Sequence, residues 1–77
     1  MKPLSDLETG AHGLVSRLHG GREFAGRMTG LGFTPGVKVL VIQNYGRGSI
    51  IVEVRETRVA LGRGEAAKVL VKAVNQE

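Results

Sequence analysis

Residues 27–43 read RMTGLGFTPGVKVLVIQ, and three successive changes of backbone conformation are written into that stretch. It opens inside a helical period: Phe24, Met28 and Leu31 fall at i, i+4 and i+7, which places three apolar side chains on one face of a helix over Arg22 to Leu31. Gly32 is placed to be the left-handed stop of that helix. Pro35 and Gly36 suit the middle of a type II turn, because proline presets the first φ and glycine tolerates the positive second one. From Val37 to Gln43 the chain is aliphatic and β-branched apart from Lys38, so a strand begins at Val37.

Further toward the C-terminus the same logic repeats. Ile50 to Val54 and Arg58 to Leu61 are two more β-branched runs. They are separated from each other by a tight turn at Arg55 to Thr57, and from the preceding strand by a mobile hairpin tip at Asn44 to Ser49. Gly62 to Ala67 accommodates a short helical turn, and a last strand runs from Lys68 to Val74 ahead of a frayed tail at residues 75–77. On the N-terminal side, Ala11 to Leu18 is compatible with a first strand ended by Gly20 and Gly21. Before it, Leu4 to Glu8 suits one helical turn, with Ser5 and Glu8 spaced as a capping box and Gly10 releasing the chain into extended structure.

The sum is a mainly β chain of about five strands, with one short α-helix between the first two strands. A flat sheet of this length leaves open edges that invite aggregation, whereas closure removes them, so a small closed or half-closed barrel is expected. Pattern alone does not separate an SH3-like barrel from an OB-fold.

Composition narrows the function classes. A chain of 77 residues has room for one compact domain, and at this size nearly every apolar residue is needed for the core. The 42% hydrophobic and 23% charged content is that of a folding chain, and twelve glycines punctuate it. With no cysteine, disulfides, thiolate zinc sites and thiol nucleophiles are excluded. The opening MKPLSDLETG lacks the apolar centre of a secretion signal, and no run approaches a membrane span, so a soluble cytoplasmic protein without direct membrane insertion is expected. The net charge of +4 is compatible with nucleic acid or an acidic protein face.

The segment Arg27 to Gly36, RMTGLGFTPG, resembles the most characteristic stretch of FeoA-type domains, where an arginine-led helix end passes through leucine-glycine into a proline-glycine turn. In that motif Arg27, Met28, Leu31, Gly32, Pro35 and Gly36 are structural positions. Leu4 to Gly10 resembles the family's LxxLxxG opening. Ile50 to Val54 with Val59 to Gly62 resembles its central hairpin, and Ala66 to Val71 its closing strand. The resemblance implies a single SH3-like domain over residues 1–77 and an iron context, since the same domain occurs fused behind iron-dependent repressors. It also implies a non-catalytic accessory protein of bacterial ferrous iron uptake, with the cytoplasmic domain of a FeoB-like membrane transporter as partner. Two departures stand out: the Arg55 to Thr57 turn lacks glycine or asparagine, and Arg63-Gly64 loosens the bend that follows.

Candidate site residues are few. His12 and His19 are the only histidines, and their odd spacing around one strand puts them on opposite faces; without convergent ligands, no metal site and no cofactor is expected. Ser5, Ser16 and Ser49 form no nucleophile and base arrangement with them, and phosphate-binding glycine patterns are absent, so no catalytic residue is assigned. Tyr45 and Arg47, in a glycine-flanked tip, are a partner-binding pair, because tyrosine and arginine dominate interface hot spots; an ordinary solvated loop is the competing reading. Arg22 and Arg27 join them as candidate contacts, with Arg27 alternatively bonding carbonyls at the helix stop. Phe33 is a core plug or an exposed anchor, with the plug favoured. A basic nucleic-acid-binding barrel is the alternative function, disfavoured by the shortage of aromatic stacking platforms. Exposed strand edges of such a barrel permit homo-oligomers.

Overall fold

A computed structural model describes residues 1–74; the expected tail at 75–77 lies outside the described residues. Six strands alternate with three short helical pieces. They are β1 (Lys2–Pro3), a 3-10 turn (Leu4–Asp6), β2 (His12–Leu18), α1 (Arg22–Gly30), β3 (Lys38–Gln43), β4 (Ile50–Val54), β5 (Thr57–Leu61), α2 (Arg63–Ala66) and β6 (Val69–Val74). All pairings are antiparallel, in the order β1-β6-β2-β3-β4-β5.

The mainly β reading therefore holds, with two corrections. A two-residue strand precedes the expected first one and pairs with β6, so α1 lies between the second and third strands. No local pattern marks it, because its identity comes entirely from β6. The second correction concerns the N-terminal turn. It is a 3-10 turn with Pro3 at its N-cap position and no side-chain cap, so the Ser5–Glu8 box does not form. Leu4 and Leu7 are both buried, and their packing dictates the tighter turn.

The helix stop follows the sequence closely. Gly32 adopts φ +109°, its N–H donates to the Thr29 carbonyl at 3.0 Å, and the Phe33 N–H donates to the Met28 carbonyl at 3.0 Å. These two bonds make a Schellman motif, whose apolar partners are Met28 and Phe33, both with no exposed surface. Phe33 is thus the plug, not an anchor. The next turn closes through the Val37 N–H to the Thr34 carbonyl at 3.0 Å, with Gly36 at φ +88° as a type II turn requires. Leu31 departs from expectation: it is 39% exposed, because the helix ends under it and only Met28 of the expected stripe is fully buried. Phe24 packs at the core margin beneath the Lys68 ammonium, 5.3 Å from its ring centre.

The core sits on the inner face of the curved sheet. Val39 and Val41 from β3, Ile50, Val52 and Val54 from β4, Leu61 from β5 and Val69 and Val71 from β6 point inward at alternate positions. Two bulges curve it, one at Ser16 in β2 and one at Ile42 in β3. The bulge at Ser16 overturns the histidine parity argument. With one extra residue in β2, Val15 and Leu18 both face the core, and the same shift turns both His12 and His19 off it.

Candidate partner-docking site

The β3–β4 connection, expected as a mobile tip, is tied into the body of the protein by one asparagine. Asn44 Nδ2 donates to the carbonyls of Ser5 at 3.1 Å and Leu7 at 2.7 Å. Its backbone N–H donates to Thr9 Oγ1 at 2.9 Å, and that hydroxyl donates back to the Asn44 carbonyl at 3.2 Å. Its Oδ1 accepts from the Gly46 N–H at 3.0 Å, an Asx turn that sets the direction of the loop. A side chain with two donors and an acceptor satisfies three segments at once, which a hydrophobic residue at this position cannot do.

Arg63, the first residue of α2, completes the clamp. Its Nη2 reaches Asn44 Oδ1 at 3.1 Å and the Ser5 carbonyl at 3.4 Å, while Nη1 donates to the Gly48 carbonyl at 3.2 Å. The expected looseness of the Arg63-Gly64 bend does not materialise. The Glu65 carboxylate accepts the Gly62 N–H at 3.1 Å and caps α2, and it also pairs with the Arg27 guanidinium. Asn44 and Arg63 lie 19 residues apart and bind carbonyls as far as 58 residues away, so no short sequence window contains both ends of the bonds that tie the loop to the body.

The consequence is a fixed platform. Gly46 and Gly48, at φ +84° and +74°, let the loop double back, and Tyr45 is carried outward with 75% of its surface exposed. Arg47 is exposed beside it. Tyr45 thus keeps most of its ring in solvent on a loop whose backbone is hydrogen-bonded at Asn44 and Gly46. With Phe33 buried and Phe24 at the core margin, Tyr45 is the one aromatic side chain well exposed among the described residues.

Arg22 and Arg27 are not brought into this platform. Both sit on α1, no hydrogen bond or ion pair links them to Tyr45 or Arg47, and Arg27 is engaged by Glu65, not by carbonyls at the helix stop. Of the structural motif, Met28 is fully buried and Gly32 and Gly36 hold positive φ, with Pro35 just ahead of Gly36, while Leu31 faces outward. A depression lined by His12, Lys38, Leu40, Glu53, Arg55 and Glu56 has about 230 Å³, below the ~300–1,000 Å³ of ordinary ligand pockets, whereas an open one beside the clamp, at Ser5, Thr9, Asn44, Gly46 and Arg63, has about 440 Å³. No group of three or more histidine or acidic side chains placed to hold a metal occurs among the described residues.

Comparison with known proteins supplies the family. The FeoA domain model matches residues 2–73. The chain belongs to the FeoA family. A protein of Methanocaldococcus jannaschii named for Fe(2+) transport is 31% identical over 72 residues, which are 94% of this chain and 87% of the relative. Among solved structures, a FeoA described as an iron uptake regulatory protein superposes with a TM-score of 0.88 at 33% identity, covering 94% of this chain and 96% of that one. The zinc-complexed FeoA of Stenotrophomonas maltophilia, described as an SH3 domain protein, gives a TM-score of 0.78 at 31% identity, over 94% and 91% of the two chains. The SH3-like fold is therefore shown, and the OB-fold alternative falls. A manganese-dependent transcriptional repressor shares the fold at 20% identity, with a TM-score of 0.83, over 41% of its own length.

Proposed function

We propose that this FeoA domain is a cytoplasmic, single-domain accessory of ferrous iron uptake that docks on the cytoplasmic domain of a FeoB-like transporter and regulates it. It acts by contact and not by chemistry. The observation that carries the reading is the Asn44–Arg63 clamp, which holds Tyr45 and Arg47 outward on a rigid loop in a chain of this family. Relatives support the iron context: one is named for Fe(2+) transport, and another is described as a candidate ferrous iron transport activating factor. No helix among the described residues is long and apolar enough to cross a membrane, so the docking is assigned to a transporter's extramembrane part.

The test is a calorimetric titration of the transporter's soluble domain with wild-type protein and with Tyr45→Ala and Arg47→Ala. As a central hot spot, Tyr45→Ala costs at least about 2 kcal/mol, near thirtyfold in Kd, and Arg47→Ala costs less. Failure of the wild type to bind, or a Tyr45→Ala variant that binds equally well, overturns the assignment.

A further inference from the structure

The six-stranded sheet ends in two very different edges. β1 is two residues long and contains Pro3, so it offers a second chain almost nothing to pair with. β5 runs five residues, Thr57–Leu61, without proline or bulge, and among the described residues it pairs with β4 alone. Its hairpin turn has two residues, and Val54 faces Thr57 across it. In such a hairpin the closing pair is hydrogen-bonded and the pairs then alternate, so Arg58 and Ala60 direct their N–H and C=O groups away from β4. No other described residue takes these groups, and both residues are exposed.

We infer that this edge is a self-association site: two copies pair antiparallel through β5, about a two-fold axis at Val59, and extend the sheet across both molecules. The register follows from the residues. With the axis at Val59, Arg58 of each copy stands opposite Ala60 of the other, and these are the residues whose backbone groups point outward. Thr57 stands opposite Leu61, so all five residues of each strand are paired. Shifting the axis to Arg58 sets the two arginines against one another, and shifting it to Ala60 leaves Thr57 unpaired. In the chosen register each Arg58 keeps Glu53 of its own β4 as its cross-strand neighbour, and the small Ala60 opposite leaves room for it. Val59, half-buried and packed against the core from the strand edge, meets Val59 of the second copy and completes its burial.

The pairing consumes the edge of both copies, so it closes at a dimer and does not propagate. One five-residue strand per copy falls well short of the ~1,200 Å² of a stable interface, so the dimer is weak and reversible. The platform at Tyr45 lies on a different connection, so this inference goes beyond the docking proposal and does not depend on it.

The experiment is sedimentation equilibrium over a concentration series of the full chain, combined with directed crosslinking. The weight-average mass of the wild type rises toward twice the monomer mass with concentration. Ala60→Lys, which opposes Arg58 of the second copy, weakens association, whereas Ala60→Glu strengthens it, each by several-fold in Kd with the far-UV circular dichroism unchanged. The chain has no cysteine, so Val59→Cys introduces a single thiol. Facing Cα atoms at a non-hydrogen-bonded pair are ~4.5 Å apart, within disulfide reach, so it crosslinks at least about tenfold faster than Thr57→Cys, whose copies lie at opposite ends of the ladder. A wild type that stays monomeric at every concentration, equal crosslinking of the two cysteine variants, or the same response to Lys and Glu at position 60 overturns the inference.

Discussion

The two hairpin connections flanking β4 solve the same problem in opposite ways. The 44–49 connection is long and glycine-containing, and it is held by side-chain bonds to segments remote in sequence: Asn44 to residues 5, 7 and 9, and Arg63 to the loop itself. The 55–56 connection is as short as a hairpin allows, and it is held by its own backbone. Arg55 and Glu56 occupy the left-handed region at φ 50° and 64°, as the tight turn between Val54 and Thr57 demands, although neither is glycine or asparagine. A latch offsets part of that strain, since Arg55 lies across Gly32 and donates from Nη2 to Thr34 Oγ1 at 3.1 Å. A loop fixed from outside can display a side chain without using it, and Tyr45 is displayed. A turn fixed from within uses its side chains to brace the helix stop.

Four substitutions break or sharpen that contrast. The largest effect is expected for Asn44→Ala, which strips donors from the Ser5 and Leu7 carbonyls and the acceptor from Gly46. Urea denaturation should show a loss of about 2–3 kcal/mol, and amide exchange at residues 44–49 should accelerate. Gly32→Ala comes next. It forces a side chain onto φ +109° and sets a Cβ 3.2 Å from Arg55 Cδ, so a loss of about 1–2 kcal/mol is expected in the same assay. Glu56→Gly goes the other way: relieving one left-handed residue should raise the thermal midpoint, by roughly 0.5–1 kcal/mol equivalent, and a fall would mean that the turn holds no strain at Glu56. The smallest effect belongs to Tyr45→Ala, whose stability should stay within about 0.5 kcal/mol of wild type in thermal unfolding; a larger loss would mean the ring serves the fold.

The sequence was most legible where a conformational requirement fell on one residue. Gly32 and Gly36 need positive φ, Pro35 presets a turn, and the alternation from Val37 onward orients side chains by period alone, so helix stop, turn and strands were all readable. Tyr45 and Arg47 were readable as contact candidates because their chemistry and loop context coincide. Asn44 carried a faint signal, an asparagine just ahead of a glycine-rich tip, but it reads as ordinary turn chemistry. Arg63 carried none, since an arginine beside a glycine looks like any solvated cation. Arg27 likewise gave no hint of Glu65, because four residues away Glu23 offers a partner that local spacing favours.

By itself, then, the chain determined its β-rich class, the helix stop, the two turns beside it and the family to which it belongs, since these rest on φ preference, hydrophobic period and motif. Only the tertiary structure decided that Lys2–Pro3 is a strand, that a bulge at Ser16 turns both histidines off the core, that Asn44 and Arg63 make a platform of a loop, and that β5 is the one long open edge among the described residues. The division has a physical cause. Backbone conformation is set within a few residues, whereas a hydrogen-bond partner or a strand neighbour is set by where the rest of the chain returns.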